Sequence, residues 1–184
     1  MITLIPASAA SIIASAANAD AIGFSALDYL LFNTDALARF TSEANYRIYG
    51  SDVISKMVSE TNLVANDWAS YRSTFIASTG TETTSAFSEL VNEFNRDYEL
   101  AKTAKLGIPL GKQSFGIQLP EYLEARYSGF SFELLHKSIK SIQDLYNGVA
   151  FTSGNNGVGF DDYLIHLDKG SLNTTINNRF NAIL

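Results

Sequence analysis

Near the start of the chain, Gly23, Ser25 and Asp28 stand ahead of an apolar Tyr29-Leu30-Leu31-Phe32 run. A hydroxyl and a carboxylate at this spacing support two kinds of chemistry. The first is structural: a serine oxygen takes a backbone N–H of the first helical turn and an acid three residues on reaches back, as in a capping box. Phe24 and Tyr29 then fall at the two positions of a hydrophobic staple. Gly23 frees the turn into the helix, and the positive end of the helix dipole favours an acid at Asp28. The second is binding, with the Asp28 carboxylate as a metal ligand. The sequence favours the first reading, a capped helix that begins at Ser25.

Other candidates carry less. His136 has Glu133 three residues before it and His166 has Asp162 four before it, so each pair falls on one helical face. A catalytic zinc takes three protein ligands and an open position, and neither pair supplies the third. Both read as surface histidines beside an acid. The run from Thr152 to Gly159, followed by Asp161 and Asp162, has glycines and acids but no calcium-loop ligand spacing. There is no Gly-x-Ser-x-Gly elbow, Walker loop or His-Glu-x-x-His helix. Ser25 has no histidine nearby in sequence to act as its base. No residue is assigned a catalytic role.

Composition narrows the field. The chain has 184 residues and no cysteine, which excludes disulfides, thiolate metal sites and cysteine nucleophiles. Nineteen acids against thirteen Lys and Arg give a formal charge of −6, and the basic residues are scattered, so nucleic acid is not an expected partner. No uninterrupted apolar run approaches the roughly 20 residues that cross a bilayer. Met1 to Asp20 imitates a secretory signal at Ile12-Ile13-Ala14 and Ala17-Asn18-Ala19. It lacks a positive start, since the first basic residue is Arg39, and reads better as an Ala-rich helix.

The elements that must position these residues are helical throughout. After Thr34 to Thr41, a short polar connection or a continuation of the first helix, Ile54, Met57, Val58, Thr61, Val64, Ala65, Trp68, Tyr71 and Phe75 recur at three and four residues, which predicts one long helix over about Ser42 to Ser78. Gly50 marks a candidate bend, and Asp52, Lys56, Glu60, Asn66 and Arg72 form its polar face. Thr79 to Thr84 is a turn. Phe87, Leu90, Val91, Phe94, Tyr98 and Ala101 form the next stripe, ending near Leu106 to Pro109. Two long helices joined by so short a turn are expected to lie antiparallel.

Gly107 to Pro120 reads as a loop. Phe132, Leu135, Ile139, Ile142 and Leu145 or Tyr146 predict a third helix that starts at Ser131 and ends at Asn147-Gly148. A short helix at Phe160 to Asp168 and a last one with Leu172, Ile176, Phe180 and Leu184 close the chain. Most of the large aromatics lie on these stripes. Tyr46, Tyr49, Tyr122 and Tyr127 lie off them and are candidates for an exposed patch. The fold expected is all-α, an antiparallel helical bundle forming one domain over 1–184.

The Gly23 to Phe32 run resembles the signature of imelysin-like proteins, Gly-x-His-x-x-Glu followed by a tyrosine and Leu-Leu-Phe. Ser25 stands where that family has histidine, and Asp28 where it has glutamate. Leu106-Gly107-Ile108-Pro109-Leu110-Gly111, Glu121 to Glu124 and Tyr127-Ser128-Gly129-Phe130-Ser131 are similar to segments that follow the signature there, in the same order. The resemblance implies a helical bundle from the bacterial cell envelope, periplasmic or a surface lipoprotein. Its group was first described as metallopeptidases and is now linked mainly to iron uptake. It also implies a chain about half the usual family length, corresponding to the second of two related bundles, with a missing N-terminal helical half as a candidate partner.

On this resemblance the expected role is a non-catalytic binding or accessory component of iron uptake. It would act near Gly23, Ser25 and Asp28, with iron or zinc as the candidate metal at Asp28 and iron-uptake proteins of the envelope as candidate partners. The alternatives are a metal-dependent peptidase, which the loss of the histidine disfavours, and a structural relative without a ligand.

Overall fold

The computed structural model describes Asn18 and residues 21–184. The expectation of an Ala-rich helix at Met1 to Asp20 lies, Asn18 apart, outside them. The described chain is an all-α helical bundle. In order come α1 (Gly23–Phe32), α2 (Ala36–Ser42), α3 (Ala44–Ala77), α4 (Ala86–Leu100) running into a π-helical turn (Ala101–Gly107), a 3-10 turn (Pro120–Tyr122), α5 (Ser131–Tyr146), α6 (Phe160–His166) and α7 (Gly170–Ile183). Among the described residues the only pairing of extended backbone is an isolated antiparallel bridge between Val149 and Asn156.

The described residues pack as two compact units, those up to Ser88 with Glu124–Phe130, and Glu89–Leu123 with Ser131–Leu184. In the first, α1 and α2 pack on the N-terminal part of α3. Val53 is fully buried among Ile22, Leu27, Tyr49 and Met57. Buried Tyr46 donates its hydroxyl to the Leu30 carbonyl (2.9 Å) and accepts from Asn33 Nδ2 (2.8 Å), tying the end of α1 to α3. The Arg39 guanidinium lies 4.2 Å from the centre of the Tyr46 ring, and the Phe40 ring meets it edge-on at 5.0 Å. Tyr49 donates to the Ala21 carbonyl just ahead of α1.

The α3 stripe departs from expectation. Its boundaries agree with the periodicity, but the buried positions are Tyr46, Gly50 and Val53, while Ile54, Val58, Val64, Trp68 and Tyr71 are exposed. The first unit's core on α3 extends as far as Met57, and Val58, Val64, Trp68 and Tyr71 beyond it are exposed. The helix continues through Gly50, where the Phe40 ring comes within 3.6 Å of the place a Cβ would occupy.

In the second unit, Ala101, Ile139, Ile142, Tyr146 and Phe180 form the core, with Phe94, Tyr98, Phe160 and Ile176 around it. Apart from Phe160, which opens α6, these are stripe positions that the sequence marks on α4 and its π-helical continuation, α5 and α7. Two polar contacts tie α5 to α7: Tyr146 donates to Asn173 Oδ1 and Gln143 Nε2 to Asn181 Oδ1, each at 2.8 Å. Gly148, at φ +66°, ends the α5 segment, and the Gly157 N–H donates to its carbonyl at 2.9 Å. The residues after α5 thus fold back as a hydrogen-bonded loop.

Candidate functional site

The site is built on α1. This helix starts two residues earlier than Ser25. Gly23 is its first residue, and Ile22 is the N-cap, with no side-chain capping bond. Gly23 has φ +80°, a conformation that favours glycine, and nothing lies within 4 Å of where its Cβ would stand. Its glycine therefore serves the backbone rather than a close approach.

The capping-box reading is corrected by these boundaries. Ser25 lies inside the first turn and is exposed, so it cannot cap the helix it belongs to. Phe24 is 81% exposed and forms no staple.

Asp28 reaches outward instead of back. Leu27 and Leu30 face the core of the unit, while the Asp28 carboxylate accepts two backbone N–H groups from a distant loop. The Tyr127 N–H meets Oδ2 at 2.8 Å and the Ser128 N–H meets Oδ1 at 3.0 Å. Successive N–H groups converging on one carboxylate form a small anion-binding concavity, here filled by the protein's own acid.

The loop is shaped for this. Ala125 and Gly129 have φ +50° and +79°, and the Ala125 carbonyl accepts from the Gly129 N–H (3.0 Å) and the Ser128 hydroxyl (3.2 Å). The Tyr29 and Tyr127 rings meet edge to face at 5.1 Å, and the Arg126 guanidinium lies 5.5 Å from the Tyr127 ring centre. The structure therefore joins two segments that the sequence marks separately, Gly23 to Phe32 and Tyr127 to Ser131.

As a metal site this arrangement fits poorly. Each Asp28 oxygen already faces an N–H donor, whose positive end opposes a cation. Ser25 contributes an exposed hydroxyl where an imidazole would be the softer ligand. Among the described residues no three His, Asp or Glu side chains converge as metal ligands. Exposed His136 and His166 stay apart from their sequence partners, because Glu133 pairs with Lys137 at 2.9 Å and the Asp162 carboxylate accepts the Gly159 N–H at 3.1 Å. No chemical step is derived through a metal.

Of the four off-stripe tyrosines, Tyr46 is buried and Tyr49 part-buried, both tied by hydroxyl bonds to the α1 segment; only Tyr122 and Tyr127 are exposed. The sequence did not mark Tyr46, Asn33 or Ala125 as parts of this neighbourhood. Asn33 at the close of α1 was the available signal, since an amide at a helix end commonly serves local hydrogen bonds.

Beside this junction, α1, α2 and α3 line an open apolar pocket of about 290 Å³, formed by Leu27, Leu30, Leu31, Phe40, Gly50 and Ile54 with two serines, Ser51 and Ser55. The Ser55 hydroxyl donates to the Ser51 carbonyl at 2.9 Å. That bond leaves the cavity few free polar groups to orient a ligand.

The family model described as Imelysin matches residues 6–184, nearly the whole chain. The chain belongs to the imelysin family. No curated protein and no solved structure matches it. In this imelysin the signature segment and the Tyr127 to Ser131 segment, both carriers of the sequence resemblance, are hydrogen-bonded to each other through Asp28. Imelysins are in general envelope-associated. Among the described residues of this one, no helix is long and apolar enough to cross a membrane.

Proposed function

We propose that this chain is a non-catalytic imelysin of the bacterial cell envelope, a binding or accessory component of iron uptake in the periplasm or on the cell surface. The observation that carries the non-catalytic part is the use of Asp28, whose two carboxylate oxygens accept the Tyr127 and Ser128 N–H groups. A peptidase of the metal type needs a carboxylate and imidazoles turned toward an open metal position. Here the acid is turned toward a loop, and the histidine position holds an exposed serine. The signature then works as a clasp that shapes the surface around Tyr29, Arg126 and Tyr127, the surface offered to an iron-uptake protein. The iron-uptake part rests on what membership of the family implies.

Two measurements test the reading. Peptide hydrolysis by the purified chain is expected to be absent with or without added zinc or ferrous ion. Chelator-sensitive hydrolysis that Asp28→Ala abolishes would sink the non-catalytic reading. Deleting the gene is expected to slow growth in iron-depleted medium, with recovery on re-expression. Equal growth of the deletion and parent strains under iron limitation would remove the iron-uptake role.

A further inference from the structure

From Ile54 onward α3 carries a seam at alternating steps of three and four residues: Ile54, Met57, Thr61, Val64, Trp68, Tyr71 and Phe75. That spacing averages 3.5 residues, so the positions keep to one line along the helix over about three heptads. Thr61 is its one polar member. Most of the seam is in solvent. Residues 58–74 are exposed at every position, Val64 at 69% and Trp68 at 46%. The Trp68 and Tyr71 rings stand edge-on to Phe75, with centres 5.3 and 6.3 Å from it, so three large rings share one face. A lone helix is marginal in water, and such a face is what a second helix buries.

The charges beside the seam select the partner. With Ile54, Thr61, Trp68 and Phe75 as a positions and Met57, Val64 and Tyr71 as d positions, the flanking g positions hold Glu60 and Asp67, and the flanking e positions hold Val58, Ala65 and Arg72. In a parallel pair of identical helices, each g residue meets the e residue five further on in the other copy. Asp67 then meets Arg72 of the second copy, twice by symmetry, and Glu60 meets Ala65. In an antiparallel pair g faces g, and the registers with most overlap set Glu60 against Asp67 or Asp67 against itself, acid against acid. Among the described residues Asp67 and Arg72 have no ion pair within the chain, whereas Glu60 pairs with Lys56.

We infer that α3 is a dimerisation element, in which residues 54–75 pair with the same residues of a second copy of this chain as a parallel, in-register two-stranded coil.

Sedimentation equilibrium of the full chain from about 1 to about 100 μM is expected to reach twice the chain mass. Trp68→Glu is expected to weaken the dimer about a hundredfold or more, because it sets two carboxylates into the seam. Helix content is expected to hold in that variant, since Trp68 lies on the surface of the single chain. Arg72→Asp is expected to weaken the dimer about tenfold, and the double variant Asp67→Arg with Arg72→Asp to recover the parent within about threefold. Residues five apart on one helix do not face each other, so recovery reports a pair between copies. The chain has no cysteine. Val64→Cys, at a d position that meets its own copy only in the parallel register, is therefore expected to give a disulfide-linked dimer under mild oxidation. A dimer untouched by Trp68→Glu, no recovery in the double variant, or no cross-link at Val64→Cys would each overturn the assignment. So would a monomer throughout, and shielding of the lone tryptophan from acrylamide in that monomer would assign the seam to another part of this chain.

Discussion

Asp28 and Ser128, 100 residues apart, meet at 3.0 Å from carboxylate Oδ1 to backbone nitrogen, and the neighbouring Tyr127 N–H takes the other oxygen at 2.8 Å. Charge-assisted hydrogen bonds to backbone N–H are among the stronger ones, and this pair is part-exposed, so some of their worth is lost to water. Asp28→Ala is expected to destabilise the first unit by about 2 kcal/mol. Asp28→Asn, which keeps one acceptor but turns an amide N–H₂ toward a donor, is expected to cost nearly as much. Urea unfolding of both variants against the parent checks this. Unchanged midpoints would mean that the clasp does not contribute to stability.

The two glycines Gly23 and Gly148 separate backbone strain from crowding. Both have positive φ, but a Cβ at Gly23 meets nothing within 4 Å, whereas one at Gly148 would stand 2.7 Å from the Val158 carbonyl carbon. Gly23→Ala is expected to cost about 1 kcal/mol, the strain alone. Gly148→Ala is expected to cost about 3 kcal/mol or more, because the loop back to Gly157 must move as well. Thermal melts of the two variants give the comparison, and equal losses would contradict it.

Helix existence was legible in the residues because it depends on local periodicity. The expected Ser42 to Ser78 helix is Ala44–Ala77, the Ser131 start of α5 is where the periodicity puts it, and the α5 and α7 stripes supply Ile139, Ile142 and Phe180 to the core. Burial on α3 was not legible, since which apolar face is covered depends on what packs there. The role of Asp28 was hidden for a related reason. Its spacing from Ser25 imitates a capping box, but Gly23 starts the helix early enough to turn Ser25 into an interior residue and to free Asp28 for a loop across the unit. A contact between positions 28 and 128 leaves no trace in local spacing.

Tyr46 gives the first unit an alkaline limit. Burial raises its pKa from the ordinary 10.0, against the lowering effects of the Asn33 hydrogen bond and the Arg39 charge. A folded-state pKa above the unfolded one means that the stabilisation is complete below pH 10 and is lost as pH rises through the folded value. Tyr46→Phe leaves the Leu30 carbonyl and Asn33 without their partner. It is expected to cost about 1–2 kcal/mol at neutral pH, with a gap to the parent that narrows above pH 10. Unfolding midpoints across the alkaline range test this, and a gap that stays constant would show that Tyr46 does not titrate with unfolding.

In the second unit, Asp161 Oδ1 is buried without a hydrogen-bond partner among the described residues. Its charge also adds to burial in raising the pKa of Tyr146. A carboxylate held this way gains from the positive end of α6, where it sits in the first turn, but one of its oxygens has lost water without replacement. The desolvation loss is the larger of the two, because a surface dipole contact is worth about 0.5 kcal/mol and an unpaired buried polar atom costs about 1–3 kcal/mol. Asp161→Asn removes the charge but leaves a polar atom in the same place, so it recovers only part of that loss and is expected to raise stability by about 1 kcal/mol at most at neutral pH. It is also expected to move the Tyr146 pKa back toward the ordinary value. Because that pKa is raised in the folded state, the variant should lose less stability than the parent above pH 10. Tyrosinate absorbance during alkaline titration, read with unfolding midpoints at neutral pH, tests both expectations. A destabilised variant with an unmoved Tyr146 would show that the Asp161 carboxylate stabilises the unit and does not raise the Tyr146 pKa.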